Sequence, residues 1–386
     1  MRYGILVAAL LAAATMCGCS KAGGGGQRNH LGKPAAPPKV LKPARVVFTA
    51  GGKLGAAKTA AIAMQPGTQQ RYLVLMEWVQ QDKTGSEGRY RLIRLDLTAG
   101  GTQELGAVDG IVAEPRHITY ARNGRIAVEG EDNQINVREP DGAWRTAIHR
   151  TDDTLHEPFG WRPDSQSLLC HHFRSDPFSY VFTVVTSASP SEPFRERSIA
   201  HRLVQNAVWS ANGSGFYALA PGRTGTALDL LSVEWPSGRE TTLLRGELGG
   251  LSVAEESGTL AFIGEAEGDN WQVWTMRPGS KPERTPVVLP SMPTEFEVSP
   301  DGTYVAAVLG KEPKSDKGFP RAEGGLAVYR LSDGAEYRVP DTIGKNVMMM
   351  HWVLGGRAVV YTVVPRGFLD WESKAMGERL WLVNVP

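Results

Sequence analysis

The densest set of reactive side chains in the sequence is Cys170-His171-His172, with His156 upstream. Thiolate and imidazole are the donors that zinc and copper take up. The surrounding residues read as extended chain, and along a strand successive side chains point to opposite faces. Cys170 and His172 therefore share one face while His171 opposes them. Two donors on one strand do not close a coordination sphere, so the reading is a buried cysteine with histidines at a loop start, and no metal. The acidic pairs Glu131-Asp132 and Asp152-Asp153 could act as general acid and base or hold calcium. Set among polar loop residues, they read as solvated turn charges. Trp161, Trp209, Trp274, Trp352 and Trp381 could stack on sugar rings, but each falls on an apolar strand of a repeat, where packing is the expected role.

Motifs that carry catalysis on a short stretch of chain are missing. There is no G-x-S-x-G elbow, no Gly-rich phosphate loop, no paired Cys-x-x-Cys, no H-E-x-x-H and no EF-hand loop. From this the expectation is a chain that is not an enzyme and carries no cofactor. Lys and Arg number 42 against 41 Asp and Glu, a net charge of +1, and the two signs are interspersed. Nucleic acid, which needs a basic field, is discounted as a partner.

The chain opens with Arg2 and an apolar run from Ile5 to Ala14, too short to span a bilayer and of the length of an export signal. It ends in Met16-Cys17-Gly18-Cys19-Ser20. This resembles the lipobox of bacterial lipoproteins, in which a small residue precedes the cysteine that is acylated and becomes the new N-terminus. The resemblance implies a signal peptide over 1–18 and lipidation at Cys19, and hence membrane attachment through the N-terminal lipid. It also implies a place in the cell envelope, either the periplasmic side of an outer membrane or the outer face of the cell membrane. Ser20, where an Asp would favour inner-membrane retention, leans towards the outer membrane. Residues 19–42 contain Gly23 to Gly26 and Pro34-Ala35-Ala36-Pro37-Pro38, the composition of a tether with no fold of its own. Within the mature chain only Cys170 would remain as a thiol, so the fold must rest on its apolar core.

What positions any site in residues 43–386 is a repeat with a period of about 40 to 57 residues. Each copy has an apolar strand, a tight turn, a second apolar strand, a polar loop and a third, alternating strand. Phe296-Glu297-Val298-Ser299-Pro300-Asp301-Gly302 followed by Tyr304 to Leu309 and then Leu326 to Leu331 is the clearest copy. Pro presets the turn and Asp-Gly accommodates the reversal. Seven turns are found, at Pro66-Gly67, Asn123-Gly124, Pro163-Asp164-Ser165, Asn212-Gly213, Ser257-Gly258, Pro300-Asp301-Gly302 and Gly355-Gly356. No stretch has a helical period. Repeated four-stranded units at this spacing predict an all-β fold, a single seven-bladed β-propeller, with six or eight blades as the neighbouring counts. At Trp161-Arg162-Pro163-Asp164-Ser165, Trp209-Ser210-Ala211-Asn212-Gly213 and Val298-Ser299-Pro300-Asp301-Gly302 the chain resembles the "W-S-P-D-G" element of the WD40-like repeats in TolB-like propellers.

The last repeat has three strands before Pro386, and Arg45 to Thr49 is a strand without a blade. Pairing the two closes the ring and removes its edges, so a monomer is expected. Three loops between second and third strands are long, near Gln80 to Gly88, Lys311 to Gly325 and Pro365 to Gly377. They belong to neighbouring blades and would gather Phe319, Arg321, Arg366, Phe368, Trp371 and Met376 on one rim, with Arg and aromatic anchors of the kind protein interfaces favour. Two functional readings follow. The first is a non-enzymatic, membrane-tethered scaffold that binds an envelope protein through this rim. The second is an enzyme or small-ligand binder, for a sugar for example, that uses the central channel. It predicts carboxylates, histidines or arginines converging there with displaced pKa values.

Overall fold

The computed structural model describes residues 37–49, 59–66, 70–80, 88–108, 118–129, 134–149, 154–175, 178–200, 206–222, 227–266, 270–311, 321–364 and 379–386. Its strands form seven sheets, one for each turn found in the sequence. The innermost strands, in blade order, are Thr59–Pro66, Ile118–Tyr120, Thr154–Trp161, Asn206–Trp209, Leu248–Val253, Pro293–Val298 and Asn346–Val353. Each packs against the next and the last against the first, which makes the seven-bladed β-propeller a closed ring. The described residues contain no α-helix, and a 3-10 turn lies at Pro340–Thr342.

Second strands are the most apolar because both of their faces are buried. In blade 1, Leu73 and Leu75 pack towards blade 7 while Val74 and Met76 pack towards blade 2. In blade 6, Val305 and Ala307 face blade 5, and Ala306 and Val308 face blade 7. Side-chain alternation thus sends every other residue to a different junction. Seven apolar clusters result, one between each pair of neighbouring blades. Trp209 and Trp352 lie within these clusters, and Trp161, Trp274 and Trp381 pack against them.

The turns work as their residues predict. In blade 6 the Gly302 amide donates to the Ser299 carbonyl at 2.8 Å, and Asp301 Oδ1 accepts from the Thr303 amide at 3.0 Å and the Ser299 hydroxyl at 2.6 Å. Gly302 has φ +75°, and a Cβ there would lie 2.5 Å from Ser257 Oγ of blade 5, so the position requires glycine twice over. Asn212 and Asp164 accept from their own turns in the same way.

Closure comes from Arg45–Thr49, which pairs antiparallel with Arg379–Asn384 as the fourth strand of blade 7, Val46 opposite Trp381 and Phe48 opposite Leu380. Part of the stretch 19–42, expected from sequence to have no fold of its own, is structured. Lys39–Val40 adds a fifth, parallel strand to blade 6 against Tyr337 and Arg338, and Leu41 is buried in the junction of blades 6 and 7. Cys19 and the rest of residues 1–36, and the acidic pairs Glu131-Asp132 and Asp152-Asp153, lie outside the described residues.

Candidate functional site

The inner strands surround a channel of about 820 Å³ along the ring axis. Five of these seven strands, those of blades 1, 3, 5, 6 and 7, slip register against their second strand. Such bulges bend a strand and re-aim side chains that a regular ladder would hold to fixed faces. In blade 7 the slip lies between Met348 and His351, with Met349 at φ 53°. This takes two backbone amides out of the ladder, and both find Glu295 of blade 6. The Met349 N–H donates to Glu295 Oε1 and the Met350 N–H to Oε2, each at 2.6 Å.

Two residues further along the same strand, Glu297 repeats the arrangement. Its Oε2 accepts from the Trp352 amide at 3.0 Å and stands 3.5 Å from His351 Nδ1. Glu255, on the turn after the inner strand of blade 5, lines the same channel and meets Arg122 of blade 2 at 3.8 Å. Blades 2 and 5 are as far apart as a seven-bladed ring allows, so this ion pair spans the channel mouth. Aromatic faces of Tyr120, Phe159 and Phe296 complete the wall.

The electrostatics favour retained protons. Burial raises the Glu295 carboxyl above the ordinary glutamate value, against the amides of Met350 and Met349, and the charge of Glu297 pushes the same way. Glu255 is also raised, by burial first, with Arg122 opposing and Glu297 and Glu256 adding to the rise. Its side chain is 59% exposed, so water screens much of that effect. Burial thus favours the neutral form of Glu295, two residues from Glu297 and its neighbour His351.

The residues singled out from sequence fall elsewhere. Cys170 is fully buried between blades 2 and 3, where burial first, and then the charge of Glu196, lifts its thiol pKa far above the usual range. His171 points to the other junction, with ring centroids 5.6 Å from Phe159 and 6.2 Å from Phe182. Of the expected rim, Arg321 heads the third strand of blade 6 opposite Lys311. Phe319, Arg366, Phe368, Trp371 and Met376 lie outside the described residues. The channel residues Arg122, Glu255, Glu295, Glu297 and His351 were missed individually. The signal available for them was Glu295 and Glu297 alternating within a strand that opens a repeat.

No family model matches the chain, and no curated protein matches it. Solved structures do. An oligogalacturonate lyase in complex with manganese superposes with a TM-score of 0.62 at 9% identity, over 90% of this chain and 98% of that one. An oligogalacturonate lyase from Vibrio parahaemolyticus gives 0.60 at 10% identity over 90% and 99%. The β-propeller domain of the Trilobed protease from Pyrococcus furiosus gives 0.58 at 13% identity over 86% and 95%. Among the described residues no three His, Cys, Asp or Glu side chains converge as metal ligands, and both Glu295 oxygens are engaged by backbone amides. One expectation is overturned: the absence of local catalytic motifs was read as the absence of an enzyme, yet propellers of almost this length are named as lyases. A ring assembles a site from distant strands and needs no local motif, so that inference fails. At these identities the likeness establishes the fold, and the chain is a seven-bladed β-propeller.

Proposed function

We propose that the chain is an enzyme or small-ligand binder that works through its central channel on a small polyhydroxylated ligand such as a short saccharide. The observation that carries this reading is the convergence of Glu255, Glu295, Glu297 and His351, from blades 5, 6 and 7, on one channel of about 820 Å³, with Arg122 of blade 2 meeting Glu255 at 3.8 Å. That volume suits a ligand of a few rings. Carboxylates accept hydrogen bonds from sugar hydroxyls, and aromatic faces cover the apolar faces of sugar rings. Glu295, whose neutral form burial favours, and the Glu297–His351 pair supply carboxyl and imidazole groups of the kind that proton-transfer catalysis uses. The three glutamates favour a neutral or amino-bearing saccharide over a polyanion such as the oligogalacturonate in the names of the neighbouring lyases. Export and lipid attachment at Cys19 complete the proposal, and place the channel outside the cytoplasm with the membrane as its anchor.

The test is a thermal-shift screen of the folded chain against neutral and amino saccharides, with Glu255→Gln as the partner variant. Glu255 sits at the exposed mouth, so the variant keeps the fold. A saccharide that raises the melting temperature of the natural chain and loses that effect in Glu255→Gln supports the reading. If no small polar ligand shifts the transition, or if Glu255→Gln responds identically, the channel is not the site.

A further inference from the structure

The channel wall is divided by chemistry. Every carboxylate and imidazole among its described lining residues, namely Glu255, Glu295, Glu297 and His351, belongs to blades 5 to 7. Blades 2 to 4 give it Tyr120, Phe159, Ala207 and Val208, with Asn206 as the polar addition. Next to that apolar side lies a bay of about 200 Å³ between blades 2, 3 and 4. Tyr120, Phe159, Ala207, Val208, Val253 and Glu255 line both spaces, so the bay adjoins the channel across a largely apolar border.

The border side chains are held from behind. Tyr120 packs on the junction of blades 1 and 2, Phe159 on that of blades 3 and 4 and Val208 on that of blades 4 and 5, and all three remain half-buried. Apolar surface left uncovered inside a ring is surface that a ligand gains by covering. The bay itself has a fixed wall. Trp209 ends the inner strand of blade 4, and its indole N–H donates to the Gly160 carbonyl of blade 3 at 3.0 Å. Trp352 makes the same stitch from blade 7 to the Glu297 carbonyl of blade 6 at 2.9 Å. Trp161, which also lines the bay, makes no such stitch. Its Nε1 is buried without a hydrogen-bond partner among the described residues, and its ring packs on the junction of blades 2 and 3. Polar side chains at the turn end of the bay are engaged by the turns: Arg162 Nε donates to the Gly213 carbonyl at 2.7 Å, and Ser210 Oγ to the Gly215 carbonyl at 2.8 Å.

We propose that the bay is a subsite for a flat apolar ring, so that the channel ligand is an aryl glycoside or a saccharide bearing a comparable ring; this rests on the saccharide reading of the channel. The sugar end lies against the glutamates of blades 5 to 7, and the ring lies among Phe159, Trp161 and Trp209. An apolar cavity of about 150 Å³ is enough for benzene, so a bay of about 200 Å³ admits a single ring. Aromatic walls meet such a ring edge-on or offset, whereas a sugar in the same place would leave hydroxyls unpaired.

The test is a titration of the full folded chain with 4-fluorophenol, followed by its ¹⁹F signal, with 2-fluoroethanol as an alcohol that lacks the ring. The expected result is saturable binding of 4-fluorophenol alone, with a midpoint at least about tenfold higher in Val208→Phe, which fills the border. Ala211→Leu narrows the bay from its turn end and takes the place of Val208→Phe if that variant does not fold. Phenyl β-glucoside should displace the probe, and methyl β-glucoside should leave it bound. The proposal is overturned if 4-fluorophenol does not bind saturably, as when water alone fills the bay, or if its midpoint is unchanged in the folded variant. It is overturned equally if methyl β-glucoside displaces the probe as well as phenyl β-glucoside does, or if neither displaces it. The two readings fail separately. Fluorophenol binding without any saccharide thermal shift removes the saccharide and keeps the aryl bay, and a saccharide shift without fluorophenol binding removes the bay alone.

Discussion

Glu297 and Trp352 are joined twice across the junction of blades 6 and 7: the Glu297 carboxylate accepts the Trp352 amide at 3.0 Å, and the Glu297 carbonyl accepts the Trp352 indole N–H at 2.9 Å. One glutamate thus lines the channel and fastens the wall of the next blade. The channel wall and the packing of blade 6 on blade 7 depend on the same strand.

Trp352→Phe removes the indole N–H, leaves the Glu297 carbonyl unpaired and opens space around a residue that is 1% exposed. We expect a loss of about 2–4 kcal/mol from the lost hydrogen bond and packing together. Trp209→Phe falls in the same range. Trp161→Phe, which gives up no hydrogen bond, costs about 1 kcal/mol less than either. Urea unfolding of the three variants measures this order. Equal losses at all three positions would refute the stitch.

Removal of residues up to Thr49 takes away the strand that pairs with Arg379–Asn384 and exposes the edge of blade 7. Phe48 and Val47, which pack on the junction of blades 7 and 1, go with it. The expected outcome is loss of a single cooperative thermal transition, seen by circular dichroism, together with early proteolysis in blade 7. A truncated chain that melts like the full one would show that closure does not rest on this strand.

The raised carboxyl of Glu295 gives a pH dependence of definite sign. Above the ordinary value of 4.5 and up through its raised pKa, the folded chain binds more protons at this site than the unfolded chain. Its contribution to stability is therefore fully present below pH 4.5 and is lost as pH rises through the folded pKa. Glu295→Gln removes that slope, so the stability difference between variant and natural chain narrows or reverses as pH rises. Asp333, held down to about 2 by its hydrogen bond to Arg330, acts oppositely and at lower pH, since its contribution is lost only as pH falls. Urea midpoints measured from pH 4 to 8 separate the two. A slope unchanged in Glu295→Gln would place the titration elsewhere.

Cys170 is 0% exposed and its thiol is held protonated by burial. Iodoacetamide should leave it unmodified in the native chain and alkylate it completely in urea, with mass spectrometry as the readout. Rapid native alkylation would mean that the junction of blades 2 and 3 opens.

Replacement of Cys19 by Ala should abolish incorporation of labelled palmitate and release the chain from membranes. Labelling that persists in that variant would move the anchor to another residue.

The strands and their number were readable because each repeat carries its own local instruction. The strand Trp271–Met276 is legible because Trp271-Gln272-Val273-Trp274 alternates and is flanked by turn residues. The turns at Pro300-Asp301-Gly302 and Asn212-Gly213 name their own geometry. The strand Arg45–Thr49 could be matched to the last blade because it lacked one of its own. Outer strands such as Arg195–Ala200 and Glu240–Gly246 were hidden, because one face meets water and the apolar pattern that marks the inner strands is absent. Lys39–Val40 was hidden further, since a two-residue parallel pairing leaves no periodic trace.

The candidate site was decided by tertiary structure alone. In the sequence Arg122 is a turn residue, Glu255 and Glu256 are charges beside a glycine, and His351 follows three methionines. No local spacing relates positions 122, 255, 295 and 351, because the ring brings them together through strands drawn from four different blades. The register slips that turn the Met349 and Met350 amides towards Glu295 arise only when neighbouring inner strands are packed around a narrow axis. Alternation and turn chemistry are properties of short segments and can be read along the chain. Convergence on an axis is a property of the closed ring, and exists only once all seven sheets are in place.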